Sequence, residues 1–254
     1  MESQPNSFSE ILQSELPFRP WETLATRRLP GIQPLGDAPY FWQDEVFQQQ
    51  LAYRKWLLEH RTNDVLREPS RDIFEAVRDD FLRHLRSTDG YRFHRDQIIR
   101  PDGIVCQPPQ TLQQLAQLIQ EDVLIHEKIA EEHVLTSGVL CFPASWRFAE
   151  KLDRPLSAIH DTVDEYDTRI QKGVQRMLDL LRPGAPIWRA NFLLYTQAEL
   201  HQPYKHEGFG EYLRVERQIL NKIPDPEVVV FTIHSFVIRA DPEMRHSVAL
   251  YKSE

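Results

Sequence analysis

The chain has 254 residues, of which 41% are hydrophobic and 27% are charged, and its formal net charge at pH 7 is -8. This acidic charge repels phosphate backbones and argues against nucleic-acid binding, and the apolar runs are shorter than the roughly 20 residues that a membrane span needs. The two cysteines, Cys106 and Cys141, do not form a CxxC motif, which excludes an iron–sulfur cluster or a thiolate zinc knuckle held by this chain alone.

The N-terminal segment is rich in proline and has no pattern of a secretory signal. Its first residues lack a basic stretch followed by an apolar one, so we expect a cytoplasmic protein. Residues 1–40 are predicted to form an extended arm laid over the domain, because prolines recur along them at Pro17, Pro20, Pro30, Pro34 and Pro39.

Residues 41–130 are predicted to form a helical region that packs on the core. Apolar positions within 46–58 and 112–119 follow helical stripes, and Thr111 is placed to open the second of these helices. Between them, Ser70 is a candidate N-cap for a further helix. That helix carries apolar residues spaced by four, at Ile73, Val77, Phe81 and Leu85.

After residue 130 the pattern becomes β-rich. Residues 134–142 are predicted to form a strand, 145–152 a short helix, and 164–181 a long helix that Pro183-Gly184 ends. Three strands are predicted to close the domain, with a turn at Pro224-Asp225-Pro226 before the last of them. Their predicted bounds are Ile187–Tyr195, Tyr212–Leu220 and Val228–Ile238.

This order of elements predicts an α+β fold with a PAS-like antiparallel sheet. A strand unit, helices and a three-strand meander follow one another, and domains of this kind bind a ligand between sheet and helices. We expect the PAS-like core at residues 131–240, preceded by the helical region and followed by a C-terminal tail at 241–254. Because many α+β folds share this order, function has to be argued from particular side chains.

Two strands of the predicted meander carry polar residues at alternating positions. Arg189 and Asn191 share one face of the first strand, and Arg214 and Glu216 share one face of the second. Such groups need hydrogen-bond partners if they are buried, and would then mark a pocket. The alternatives are an edge strand with Arg189 in solvent, and a solvated face bearing a local Arg214–Glu216 ion pair.

Two of the histidines occur in apolar surroundings. His160 follows the segment Pro155–Ile159 just before the long helix, and His234 lies within the last strand on the face of Val230 and Phe236. Each could be a hydrogen-bonded core histidine or could supply an imidazole to a haem iron. No phosphate-binding glycine loop and no GxSxG elbow are present, which argues against flavin or nicotinamide binding by this chain.

Several short stretches resemble one protein family over nearly the whole chain. The main block comprises Leu140-Cys141-Phe142-Pro143-Ala144-Ser145-Trp146, Ala149-Glu150-Lys151, Arg154-Pro155-Leu156 and Ile159-His160. Further stretches are Pro17-Phe18-Arg19-Pro20, Asp96–Gly103, Gln120-Glu121-Asp122, Arg189-x-Asn191, Leu213–Gln218 and Phe231–His234. In this order and spacing they are similar to the haem-dependent oxidative N-demethylase alpha-subunit family. Two positions depart from the family pattern, because Phe192 stands in place of a tryptophan and no proline follows His160 closely.

The resemblance implies a haem b in a PAS-like domain that oxidises a small secondary amine with dioxygen and electrons from NADPH. In that family, separate subunits carry flavin, an iron–sulfur cluster and tetrahydrofolate. We therefore expect flavin and iron–sulfur reductase subunits as partners that supply the electrons. Since the chain has no CxxCH attachment motif, the haem would be bound non-covalently.

Under this interpretation His160 is the expected proximal iron ligand, because it falls in the helical segment between the early strands and the meander, and His234 is the next candidate. Arg189 and Asn191 would lie on the distal side, where a cation and an amide could polarise dioxygen. Arg214 and Glu216 would hold a substrate ammonium or relay a proton, with Glu216 the acid–base candidate. Two rival hypotheses are a haem-based gas or redox sensor without turnover and a haem-free partner-binding protein.

Overall fold

The computed structural model describes residues 5, 8–23, 26, 31–156, 168–205 and 210–253, which combine helices with antiparallel sheets. No helix within these residues is long and apolar enough to cross a membrane. The helices of the described residues are α1 (Phe47–His60), α2 (Thr62–Val65), α3 (Arg71–Arg86), α4 (Leu112–Leu115), α5 (Phe148–Lys151), α6 (Thr168–Leu180) and α7 (Pro242–Ser253).

The helices α1 and α3 form where the apolar stripes predict them. The four apolar residues of α3 that are spaced by four are all buried, so this stripe faces the core. Ser70 precedes α3 as predicted, but its hydroxyl donates to Asp72 and does not cap the helix. Thr111 does cap α4, since its Oγ1 accepts the N–H of Gln114 at 3.2 Å. The helix α4 is shorter than predicted and ends at Leu115, although Leu118 and Ile119 beyond it are also buried in the core.

The described strands form a seven-stranded sheet in the order β1-β8-β9-β10-β6-β7-β2 and a small sheet in the order β3-β4-β5. Neighbouring strands in both sheets pair antiparallel, which gives an α+β fold with open sheets. The strand bounds are β1 (Gln33–Pro34), β2 (Leu66–Arg67), β3 (Arg92–His94), β4 (Gln97–Ile99), β5 (Val105–Cys106), β6 (Asp122–Ile129), β7 (Glu132–Val139), β8 (Ile187–Tyr195), β9 (Tyr212–Pro224) and β10 (Glu227–Arg239).

The predicted three-strand meander is confirmed, and β8 has the predicted bounds. The strands β9 and β10 are longer than predicted and pair along their whole lengths, from Glu227 with Pro224 to Arg239 with Tyr212. The tight turn between them lies at the Pro224-Asp225-Pro226 motif, where the Asp225–Pro226 peptide is cis. The helix predicted at 164–181 is present as α6 from Thr168, and its predicted start lies outside the described residues.

Residues 41–130, predicted to be helical, also contain strands β2 to β6. The most important of these is β6, which lies in the middle of the large sheet between β10 and β7. Its first five residues are all buried, so β6 lacks the alternation of apolar and polar residues that marks a half-buried strand. Residues 242–253, predicted as a tail, form α7.

The large sheet has two covered faces. The back face packs on α1 and α3 through a cluster that includes Val123, Val230, Leu57 and Val77. The front face packs on α5 and α6 through two smaller clusters. Successive side chains along a strand point to opposite faces of the sheet. Only predicted site residues that point to the same face can therefore contact one another.

Candidate functional site

A row of polar side chains crosses the front face of the meander. On β9 it contains Arg214, Glu216 and Gln218, which are two residues apart and therefore point to the same side. On β8, Asn191 lies directly opposite Glu216, and Arg189 lies directly opposite Gln218. The predicted set of two arginines, one amide and one carboxylate is thus brought together, which periodicity alone could only suggest.

Glu216 is the centre of this row and is 5% exposed. Its Oε1 accepts the Nε–H of Arg214 at 3.2 Å. Its Oε2 accepts the amide of Gln218 at 2.9 Å and that of Asn191 at 3.4 Å. All three partners donate, so the surroundings suit an ionised carboxylate, which can only accept hydrogen bonds.

Arg214 is 2% exposed and has hydrogen-bond partners on every side-chain nitrogen. Besides Glu216, it donates to the carbonyl oxygens of Phe142, Pro143 and Leu200. Its Nη2 also lies 3.1 Å from Ser235 Oγ. The guanidinium therefore ties the loops that follow β7 and β8 to the sheet, and in this arrangement it has no nitrogen left over for a substrate.

The loop after β7 is held from its other side by Asp122. The carboxylate of Asp122 accepts the backbone N–H groups of Cys141 at 2.9 Å and Phe142 at 2.8 Å. It also pairs with Arg54 at 2.7 Å, and both side chains are almost fully buried. Burial and carboxylate-to-backbone bonds of this kind fix the path of the chain at Cys141-Phe142-Pro143.

Apolar residues flank the polar row on the front face. Towards α5 they include Leu124, Leu135, Leu140, Phe148 and Ile233, with Trp146 and Phe231 packed against them. Towards α6 they include Leu156, Leu178, Leu181, Leu220 and Val229, with Ile187 and Met177 alongside. The front face is thus a mostly apolar surface that contains a few buried polar groups.

The first strand of the meander is covered less completely than the second. Arg189 and Asn191 are half-buried, so the alternative of a fully solvated edge strand does not describe them. Tyr195 extends the same face of β8 and is 8% exposed, with its hydroxyl 3.5 Å from Ser145 Oγ. Burial raises the pKa of the Tyr195 phenol, which keeps it neutral and able to donate a hydrogen bond.

His234 lies on the back face, opposite to the polar row. It pairs with Arg217 in the sheet, whereas its neighbour Ser235 pairs with Glu216. The imidazole is 0% exposed, with Nδ1 3.2 Å from Glu121 Oε1 and Nε2 3.2 Å from Asp44 Oδ2. Both ring nitrogens therefore already have carboxylate partners, and an iron ligand role for His234 would require one of them to be released.

His234 and its two carboxylate partners stabilise each other's charged forms. Burial alone would lower the pKa of His234, but hydrogen bonds to Asp44 and Glu121 and the charges of these carboxylates raise it above its ordinary value. Burial alone would raise the pKa of Asp44, but its bond to His234 and the charge on that ring hold it below its ordinary value. The arrangement therefore favours an imidazolium between two carboxylates.

His160, the first predicted iron ligand, lies outside the described residues. Gln218 was not singled out from the sequence, although its alternation with Arg214 and Glu216 was a signal that could have found it.

The structure has two clefts away from the polar row, one of about 650 Å³ between α1 and residues 100–117 and one of about 210 Å³ beside Trp42 and Asp44. No residue of the polar row lines either cleft.

Comparison with known proteins identifies a family for this chain. A family model described as haem-dependent oxidative N-demethylase, alpha subunit-like, matches residues 31–246, which is most of the chain. No curated protein matches the sequence. The matched range contains the whole of the large sheet and every residue of the polar row.

Proposed function

We propose, because the chain belongs to the haem-dependent oxidative N-demethylase alpha-subunit-like family, that it is a haem-dependent oxidoreductase acting on a small amine. The reaction would consume dioxygen, two external electrons and two protons. One oxygen atom would leave with the N-methyl carbon as formaldehyde and the other as water, and the amine would keep an N–H in place of the methyl group. The observation that carries the proposal is the buried row around Glu216, set among the apolar clusters of the front face.

A PAS-like fold is part of this proposal. The pair β6–β7, the helices α5 and α6, and the meander β8–β10 follow one another in the order expected of such a domain. The first and last of these five strands, β6 and β10, lie side by side in the sheet. The ligand would then be bound between the sheet and the helices, which is the front face.

The chemistry of the front face fits a haem. A porphyrin is a flat apolar ring with charged edge groups, so the residues of the two apolar clusters would hold the ring, and Arg189 would supply a hydrogen-bond donor beside it. The residue that would hold the haem iron is His160, as the sequence predicts. His234 is less suited, since both of its nitrogens have carboxylate partners.

When bound, the haem supplies the one-electron and dioxygen chemistry that amino-acid side chains lack. The residues of the chain position the reactants around it. Glu216 would accept a hydrogen bond from the amine nitrogen or take up its proton at a carboxylate oxygen. Arg189 and Asn191 would stabilise negative charge that develops next to them, because preorganised donors need no reorganisation during the reaction. Arg214 would act by holding Glu216 and the Phe142 loop in place.

Electrons would have to come from a separate component. The alpha-subunit-like family description suggests partner subunits, and the sequence has no flavin or nicotinamide motif of its own. We propose a flavin or iron–sulfur reductase as that partner.

The test is oxygen consumption by the haemin-reconstituted protein with a chemical or enzymatic electron donor. Uptake that depends on added secondary amine and yields formaldehyde supports the proposal. A haem-based sensor would bind haemin but give no amine-dependent uptake. A haem-free partner-binding protein would leave the Soret band of free haemin unchanged. Either of these two results would refute the proposed activity.

A further inference from the structure

The amide of Gln218 has an unused acceptor that faces the same row as Glu216. Gln218 is 8% exposed, and its Nε2 donates to Glu216 Oε2 at 2.9 Å. This orientation is dictated by chemistry, since an ionised carboxylate cannot donate to an amide oxygen. The amide oxygen Oε1 therefore points away from the carboxylate, and it has no hydrogen-bond partner in the described part of the chain.

Asn191 has the same arrangement on the neighbouring strand. Its Nδ2 donates to the same oxygen of Glu216 at 3.4 Å, and its Oδ1 likewise has no partner among the residues that the structure describes. An acceptor oxygen without a partner in the protein is available to a donor group of water or of a ligand. Glu216 thus lies beside the amide of Asn191 on β8 and the amide of Gln218 on β9. The oxygen of each amide accepts no hydrogen bond from the described residues.

We infer that Gln218 is a specificity-determining residue whose amide oxygen accepts an N–H of the bound amine beside Glu216. This inference rests on the proposed function, because it assigns a residue to the same site. A ligand nitrogen with two N–H groups could donate one to the Glu216 carboxylate and one to Gln218 Oε1. The site would then select for the number of N–H groups on the nitrogen as well as for its size.

The nearby arginines also affect how strongly a cation binds, so ligands of different charge would not report on Gln218 alone. Arg189 lies opposite Gln218 in the sheet and Arg214 bonds to Glu216, so both arginines belong to the same row. A test must therefore hold the ligand's charge constant. Dimethylammonium, trimethylammonium and tetramethylammonium ions all carry one positive charge and have two, one and no N–H groups.

The experiment is calorimetric titration of these three ions into the haemin-reconstituted protein and its variants. In the wild type we expect dimethylammonium to bind more tightly than the other two. In Gln218→Met, which keeps the size but lacks both amide groups, dimethylammonium should bind roughly 10- to 100-fold more weakly, as loss of a hydrogen bond to a charged group implies. Tetramethylammonium affinity should change little in the same variant.

Gln218→Glu separates the acceptor role from the contact with Glu216. It loses the N–H donor to Glu216 but keeps an acceptor oxygen, so the preference for dimethylammonium over tetramethylammonium should survive. The matched control is Lys222→Gln, on the same side of β9 near the hairpin end, where Lys222 pairs with Glu227 at 2.7 Å. This control should leave all three affinities unchanged.

The outcomes distinguish the inference from the proposed function. If the wild type binds haemin but none of the three ions, the amine activity and the inference both fall. If the wild type discriminates among the ions and Gln218→Met weakens all three equally, Gln218 has a structural role and only the inference falls. Loss of the preference in Gln218→Glu would likewise overturn the acceptor role.

Discussion

Asp122 and Arg214 bind the two backbone polar groups of the same residue, Phe142. The carboxylate of Asp122 accepts the Phe142 N–H at 2.8 Å, and the guanidinium of Arg214 donates to the Phe142 carbonyl oxygen. Asp122 lies at the start of β6 and Arg214 lies in β9, so the loop after β7 is fixed by two strands that are separated by β10. The loop at Cys141-Phe142-Pro143 is therefore a rigid anchor of the front face.

The first prediction is that Arg214→Met and Asp122→Asn each lower the free energy of unfolding by about 3–5 kcal/mol. Each change leaves a buried partner of opposite charge, Glu216 or Arg54, without its counter-ion. The measurement is urea unfolding followed by circular dichroism. The control is Glu75→Gln on α3, which breaks an exposed pair with Arg71 and should cost no more than about 1 kcal/mol. Equal small effects in all three variants would show that the Phe142 anchor contributes little.

The second prediction concerns the pH dependence of stability and His234. Because the folded-state pKa of His234 is raised, its pairing stabilises the protein fully below the unfolded pKa of about 6.5, and this contribution is lost as pH rises through the folded value. The groups that face it are Asp44, Glu121 and, across the strand pair, Arg217. Asp44 has a lowered pKa, so its contribution is present above its ordinary value and lost in acid.

Wild-type stability should therefore fall above pH 6.5 with a slope of up to about 1.4 kcal/mol per pH unit from this group alone. His234→Gln should remove that part of the slope, and the exposed His94→Gln should retain it. Unfolding free energies measured from pH 5 to 9 give both slopes. A wild-type slope that persists unchanged in His234→Gln would mean that another group titrates in this range.

The third prediction is that Arg189→Ala slows amine-dependent oxygen uptake far more than it weakens haem binding. A preorganised donor that stabilises developing charge is typically worth about 2.7–4 kcal/mol, or roughly 100- to 1000-fold in rate. Haemin affinity and the oxygen-uptake rate are measured on the same preparation. The control is Arg182→Ala, an exposed arginine beyond α6. Parallel losses of affinity and rate would instead assign Arg189 to haem binding.

The fourth prediction is that His160→Ala removes the axial imidazole, while His234→Gln leaves iron ligation intact. The physical reason for the second half is that Asp44 and Glu121 occupy both nitrogens of His234 on the back face of the sheet. Resonance Raman and absorption spectra of the two reconstituted variants report the axial ligand. An altered spectrum in His234→Gln with an unchanged one in His160→Ala would exchange their roles.

The meander was predictable because its strands combine apolar runs with turn residues, and β8 is found at its predicted bounds. Strand β6 was missed because it is buried in the centre of the sheet and lacks alternation. The grouping of Arg189, Asn191, Arg214 and Glu216 followed from alternation along two strands. The hydrogen-bond partners of Arg214 and His234 could not be predicted in this way. Arg214 binds residues 142, 143 and 200, and His234 binds residues 44 and 121. Contacts over such sequence separations leave no local periodic signal.

The most direct test of the central claim, that this chain binds a haem, is a titration of the purified 254-residue protein with haemin. Absorbance in the Soret region is recorded at each addition, against the same additions to buffer. The account predicts a shifted Soret band that saturates at one equivalent of haemin. A band that follows free haemin throughout the titration would contradict it, and the proposed oxidation of an amine would then lose its cofactor.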